Sequence, residues 1–171
     1  MMLYRVIVAA GLFVTALADG PAIVSALEKI TGDTKSLNDD VSSWNGGLLG
    51  TIPIVTGSTT LLASIHEGQK TAEASEPLTL LDAIGVAVAT QALAKEVNTT
   101  ISTIVAAKPK FDHLLLSPVI LINLGLERKA TVGFSDAIIE KLPVEQQPLG
   151  AQLVKPILDS FDLAIDVYNP F

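Results

Sequence analysis

Ile23, Leu27, Ile30, Thr34, Leu37, Val41, Trp44 and Leu48 follow one another at alternating spacings of four and three residues. Only an α-helix places such a series on one stripe, because a strand repeats every second residue and a helix every 3.6. All but Thr34 are apolar, while Glu28, Lys29, Asp33, Lys35, Asp39 and Asp40 fall between them as a solvated face. The spacing predicts a long amphipathic helix that stops at Asn45-Gly46-Gly47, where glycine suits a helix C-terminus.

The rest of the chain repeats this grammar. A second helix begins within residues 48–53, where Pro53 is tolerated in a first turn. It carries Ile52, Val55, Leu62, Ile65 and Gln69 and fades near Ser75-Glu76-Pro77. A third starts at Thr79-x-x-Asp82, a capping-box variant, and reaches about residue 107. Its first half is small and apolar (Ala83, Gly85, Ala87, Ala89). Its stripe changes side from Leu80/Ile84/Val88 to Leu93/Val97/Ile104, the pattern of a helix sandwiched between others. Lys108-Pro109 ends it. Ser117-Pro118 opens a fourth, with Ser at the N-cap and Pro at the first helical position, carrying Ile120, Leu124, Phe134, Ile138 and Leu142 up to Pro143. A fifth covers residues 145–168, with Val154, Ile157, Phe161, Ile165 and Tyr168 on one face and a kink at Pro156. No stretch shows strand alternation between hairpin turns. The expected fold is all-α, one antiparallel bundle of about five amphipathic helices, antiparallel because the connections are short.

Hydrophobic residues make up 49% of the 171-residue chain, and part of that excess is local. Arg5 precedes an apolar run over residues 6–18 that ends in Ala16-Leu17-Ala18, the three parts of a secretory signal. Residues 1–18 are therefore expected to be a signal peptide and 19–171 a single bundle domain. The run is shorter than the ~20 residues of a spanning helix. Residues 77–107, the longest later apolar-looking region, are broken by Asp82, Gln91, Lys95, Glu96 and Asn98, so no transmembrane segment is expected. Residues 166–171 form no hydrophobic tail, so no lipid anchor is expected. Cysteine is absent, which excludes a disulfide scaffold and thiolate zinc sites. The net charge of −7 argues against nucleic-acid binding by phosphate neutralisation. The expected product is exported.

Catalytic chemistry finds little support. His66-Glu67 lacks the second histidine of a zinc-protease helix, and His113 is a loop histidine beside Asp112. Gly133-Phe134-Ser135-Asp136-Ala137 is a loose version of a nucleophile elbow, but an elbow needs a strand before its serine. No phosphate-binding glycine loop is present. Asp39-Asp40 reads as a charged helix face. No enzyme, metal or cofactor is expected. Asn98-Thr99-Thr100 is a glycosylation sequon.

Two segments carry a family resemblance: Trp44-Asn45-Gly46-Gly47-Leu48-Leu49-Gly50-Thr51-Ile52-Pro53-Ile54, and Lys108-Pro109-Lys110-Phe111-Asp112. With the leader and the Ala/Leu/Ile-rich helices around them, they make the chain similar to the fungal hydrophobic surface-binding protein A and cell-wall galactomannoprotein family. The resemblance covers essentially everything after the leader. It implies an α-helical bundle and two roles. Some members adsorb to hydrophobic surfaces and help recruit secreted hydrolases; related modules hold fatty acids between helices. Residues 19–171 show no Ser/Thr-rich linker or anchor signal like those of the larger mannoproteins, so covalent cell-wall anchoring is not expected.

The physics of such a role is simple, since each buried methylene of an acyl chain is worth ~0.8 kcal/mol. Small residues on the third helix and an aromatic content of only 5% leave room for a guest, and equally suit a plain Ala/Leu/Ile core. Leu48, Ile52, Ile104, Phe134, Ile138 and Phe161 are the candidate lipid-facing residues, from their seam positions near glycines or helix ends. Gln69 and Gln91 are the polar candidates for a carboxylate head. The expected function is a secreted, non-enzymatic binder of fatty acids, other lipids or hydrophobic surfaces. The alternative is a structural or antigenic cell-wall mannoprotein without a lipid ligand.

Overall fold

The computed structural model describes residues 20–169, so the leader read at residues 1–18 lies outside the described residues. Six α-helices build the domain: α1 Gly20–Ser43, α2 Thr51–Ala74, α3 Leu80–Ala106, α4 Lys108–His113, α5 Ser117–Lys141 and α6 Gln147–Tyr168. Short 3-10 turns, Leu48–Gly50 and Val144–Gln146, lead into α2 and α6, and no strand occurs among the described residues. The five long helices are those the periodicity predicts. The sixth, α4, is a single six-residue helix in what read as a connection.

Helix α1 buries Ile23, Leu27, Ile30, Thr34, Leu37 and Val41, as the spacing requires. The chain leaves the helix after Ser43 and turns at Gly46, whose φ of 93° suits a residue without Cβ. Trp44 is still buried, but Leu48 lies beyond the turn and faces solvent. In α3, the Thr79 hydroxyl accepts from the Asp82 N–H while the Asp82 carboxylate accepts from the Thr79 N–H, a complete capping box. One buried stripe then runs through Ala83, Val86, Thr90, Leu93, Val97, Ile101 and Ile104. The stripe does not change sides as the sequence suggested. Leu80, Ile84 and Val88 are largely exposed, because the close-packed face of the first half uses alanines.

The long helices close a ring. α1 packs against α2 and α3, α2 against α5, α5 against α6, and α6 against α3. Successive long helices alternate in direction, but ring order is not chain order. α1 and α2 are antiparallel: Asp33 accepts from Ser64, and Leu37 lies against Gly57. α5 and α6 are antiparallel: Arg128 donates twice to Asp162, at 2.5 and 2.9 Å, while Ile139 approaches Gly150. α1 and α3 run parallel: Thr100 donates to the Thr34 carbonyl and Thr103 to Asn38. α2 and α5 also run parallel: Ser58 meets Glu127, and Gly68 meets Phe134. It follows that α3 and α6 share a direction. The N-termini of α1, α3 and α6 thus gather at one end of the bundle, with the C-termini of α2 and α5.

The opposite end is locked by aromatics. The Trp44 ring lies 4.6 Å from that of Phe111, which lies 6.4 Å from that of Tyr168. Trp44 Nε1 donates to the Gly47 carbonyl at 2.8 Å. A Cβ on Gly50 would stand 2.6 Å from Trp44 Cδ1, so that position has room only for glycine. Lys110 Nζ donates to the Trp44 carbonyl at 2.6 Å and sits over its ring. The Tyr168 hydroxyl donates to the Ile104 carbonyl at 2.7 Å, joining α6 to α3, and burial raises its pKa. The two segments that carried the family resemblance are therefore one packed structure.

Two further differences from the sequence reading have local causes. Ser117 is not the N-cap of α5; Leu116 takes that place without a side-chain bond, and Ser117 instead donates to Asp112. Residues 48–74, with no Asp, Glu, Lys or Arg before Glu67, form a helical stretch long and apolar enough to cross a membrane by length and composition, and 28% of its most apolar part is buried. In the bundle this stretch presents Ile54, Leu61, Ser64, Ile65 and Gly68 to its neighbours. Helix α6 continues through Pro156, which is exposed.

The α4–α5 turn holds the one non-glycine residue with positive φ among those described, Leu115 at 57°. Leu116 N–H bonds the Phe111 carbonyl and Leu115 N–H the Asp112 carbonyl, a Schellman closure in which leucine occupies the usual glycine position. Leu115 is 85% exposed and loses little packing if removed. Leu115→Gly is expected to raise stability by about 1 kcal/mol, read as a higher urea midpoint with an unchanged slope; an unchanged or lower midpoint would contradict this strain assignment.

Candidate functional site

The ring encloses a cavity with about 120 Å³ open to the centres of water-sized spheres. That is roughly ten times the space one water needs. Every long helix contributes to the wall: Leu27 and Ile30 from α1, Leu61 and Ile65 from α2, Ala83, Val86, Ala87 and Leu93 from α3, Phe134 and Ile138 from α5, and Ile157 and Phe161 from α6. Alanines on α3 face bulky residues on α5 and α6, and this mismatch of side-chain size leaves the space. The cavity opens between the first halves of α3 and α6. Leu80, Ile84 and Leu149 both line it and face solvent.

Polar groups in the wall are few. The hydroxyls of Thr34, Thr90 and Thr131 donate to the carbonyls of Ile30, Val86 and Glu127, one turn back in their own helices. Ser135, one turn beyond Thr131, also lines the cavity and makes no such bond. Gln146 lies at the wall beside Leu142 and Gly150. An apolar chamber with so few polar groups favours an apolar guest over water.

The cavity brings together three of the six lipid-facing candidates, Phe134, Ile138 and Phe161. Leu48 and Ile52 lie outside it, exposed where α2 begins. Ile104 is buried but lines a second, smaller cavity. Gln69 lies against Gly133 outside the main wall and donates to Glu73 at 2.7 Å. Gln91 is exposed and also outside the wall. Two of the cavity's polar groups, Thr131 and Ser135, sit four apart in the stripe that holds Phe134 and Ile138, a spacing visible in the sequence once α5 is placed. Of the other motifs, His66 and His113 are exposed, and Ser135 lies mid-helix with no elbow geometry. Asn98 is exposed on α3, while Thr100 of its sequon is buried.

The second cavity, about 30 Å³ by the same measure, lies between α1, α2 and α5 near the aromatic lock. Leu37, Val41, Ile54, Ile104 and Phe111 line it, with Ser58, Asn123 and Glu127. Glu127 is 4% exposed, and the Ser58 hydroxyl donates to it at 2.6 Å. Burial without a cation pushes its pKa up to about 7, against the smaller opposing effect of the Ser58 bond. At the surface, the Asp162 carboxylate raises the Arg128 pKa, and Arg128 lowers that of Asp162.

Comparison with known proteins places this architecture. Residues 20–140 match the sequence model of a family described as hydrophobic surface binding protein A. Cell wall mannoprotein 1 of Aspergillus fumigatus is 27% identical over 151 residues, covering 88% of this chain and 52% of that protein. Its namesake in Aspergillus flavus is 25% identical over 174 residues, covering 98% and 63%. The chain thus spans between half and two thirds of the length of these relatives. The crystal structure of Afmp4p in complex with palmitic acid superposes with a TM-score of 0.85 at 24% identity, covering 88% of this chain and 99% of that one. Ligand binding domain 1 of the Penicillium marneffei MP1 protein, complexed with arachidonic acids, superposes with a TM-score of 0.84 at 18% identity, covering 88% and 99%. At these identities the superpositions show a shared fold.

Glu127 supplies a test of the packing around the smaller cavity. Its folded pKa stands above the ordinary 4.5 of an unfolded glutamate. Its contribution is therefore full below about pH 4.5 and falls away as pH rises through about 7, by on the order of 3 kcal/mol. Glu127→Gln keeps the shape and removes the titration. Thermal melts at pH 5 and pH 8 are expected to differ less for the variant than for the parent; equal differences would show that Glu127 is not the buried titrating group.

Proposed function

We propose, for a chain that belongs to the hydrophobic surface binding protein A family, a non-enzymatic role as a binder of fatty acyl chains and hydrophobic surfaces. The carrying observation is the apolar cavity at the centre of the five-helix ring, open between α3 and α6. An acyl chain entering it replaces water contact with contact to Leu93, Phe134, Ile138, Ile157 and Phe161, at ~0.8 kcal/mol per methylene. Ordering the chain offsets part of this. Ser135 and Gln146 are the polar groups available to a carboxyl head. The solved relatives that share the fold hold palmitic or arachidonic acid, which supports the same ligand class here.

The remaining features fit an exported product. Residues 1–18 are proposed to be removed as a secretory signal. Association with the cell wall follows the relatives' names, and a secreted hydrolase is a proposed partner at a hydrophobic substrate. Asn98 is proposed to carry glycan. Because Thr100 is buried in the folded helix, attachment must precede folding. A downward gel shift on endoglycosidase treatment, absent in Asn98→Gln, is the expected sign; no shift would reject occupancy.

Native mass spectrometry of the purified chain is expected to show co-purified fatty acid, or uptake of added palmitate at one equivalent or more. Ala87→Phe, which fills the wall beside Leu80 and Ile84, should weaken uptake at least tenfold while the helical circular dichroism persists. A chain that takes up no fatty acid and does not adsorb to an alkyl resin would overturn this reading.

A further inference from the structure

The opening of the cavity is surrounded by apolar side chains that the bundle does not use. On α3, Leu81 and Val88 are 78% and 63% exposed, flanking Leu80 and Ile84. Across the opening stand Val144 and Leu149. Leu80, Ile84 and Leu149 belong at once to this collar and to the cavity wall, so the outer surface passes into the chamber without a polar break. We propose that this collar seats on an uncharged lipid surface and that acyl chains pass from that surface into the cavity without crossing water. The proposal rests on the reading of the cavity as an acyl site and adds the route by which it is filled.

Charge selects the kind of surface. Asp82 is the one charged residue in 80–94, and its carboxylate is engaged by the Thr79 N–H and hydroxyl. Residues 147–154 carry no charge, and Glu145, exposed beside Val144, adds a negative charge at the rim. The nearby cations are otherwise used: Lys141 Nζ donates to the Glu73 and Ser75 carbonyls, and Lys155 pairs with Asp159. Among the described residues, no cation at the collar is free to pair with a net-anionic headgroup, and a chain of net charge −7 is repelled by an anionic bilayer, so a surface of no net charge is favoured. An exposed apolar patch rimmed by polar residues marks an interaction site. Here its continuity with an acyl chamber points to lipid. A route through water would expose every methylene of the ligand, which slows transfer.

The test is transfer of a fluorescent palmitate analogue from phosphatidylcholine vesicles to the purified protein. The rate is expected to rise in proportion to vesicle concentration, and to fall severalfold when a third of the lipid is phosphatidylglycerol. Leu81→Asp/Val88→Asp alters collar residues outside the cavity wall, and should slow transfer at least tenfold while binding of the same analogue in vesicle-free solution is unchanged. Val119→Asp/Ile122→Asp, exposed on α5 toward the other end, should transfer like the parent. A rate independent of vesicle concentration, equal rates for parent and collar pair, or sedimentation showing a dimer that the collar pair dissolves would overturn the proposal alone. Failure to bind the analogue in solution would overturn the cavity reading, and this proposal with it.

Discussion

The structure depends on the aromatic lock at one end of the ring. Trp44, Phe111 and Tyr168 join the end of α1, helix α4 and the end of α6, and Lys110 ties the Trp44 carbonyl into the same cluster. Three of the five described aromatic residues are used there. The other two, Phe134 and Phe161, line the cavity. With the bulky side chains concentrated at one end, the middle and the far end are left to alanine, threonine and aliphatic residues. A ring of five helices has a wider axis than a bundle of four, and those side chains do not fill it. The cavity is thus a consequence of where volume was placed, and its opening lies toward the end that has no lock.

The chemistry of the wall follows from the same economy of polar groups. Threonines that would interrupt an apolar chamber bond back to their own helix carbonyls, which satisfies the hydroxyl proton inside the wall. The strongly perturbed carboxylate, Glu127, sits in the smaller cavity and not in the larger one. The chamber therefore has shape and apolarity as its recognition elements. These suit a flexible acyl chain whose length the protein need not measure closely.

Much of the fold was legible because its signals were local. The four-three spacing from Ile23 to Val41 fixed the buried face of α1, and Thr79 with Asp82 fixed the start of α3. What failed to show depended on tertiary partners. Helix α4 is too short to display a period, and its exit uses Leu115 in a left-handed conformation that glycine would have advertised. Leu80, Ile84 and Val88 looked like a second buried stripe because hydropathy cannot distinguish a core face from a collar. Ring order, with parallel pairs beside antiparallel ones, leaves no mark in connection length. For the site, Phe134, Ile138 and Phe161 were found by seam position. Leu48 and Ile52 were drawn in by nearby glycines whose role is to admit Trp44 and turn the chain. Thr131 gives no signal because a hydroxyl in a helix is ordinarily unremarked, and Ser135 stands out in the sequence only as the serine of a loose nucleophile elbow.

The central claim is that the ring's interior, and not its surface alone, receives an acyl chain. Methyl-resolved NMR of the protein titrated with palmitate tests it most directly. The account expects shifts at the cavity methyls of Leu93, Ile138 and Ile157 and contacts from them to the ligand, with the methyls of Leu37 and Val41 near the smaller cavity little changed. Shifts confined to exposed residues such as Leu48, Leu49 and Ile52, with the interior methyls unmoved at saturation, would contradict it.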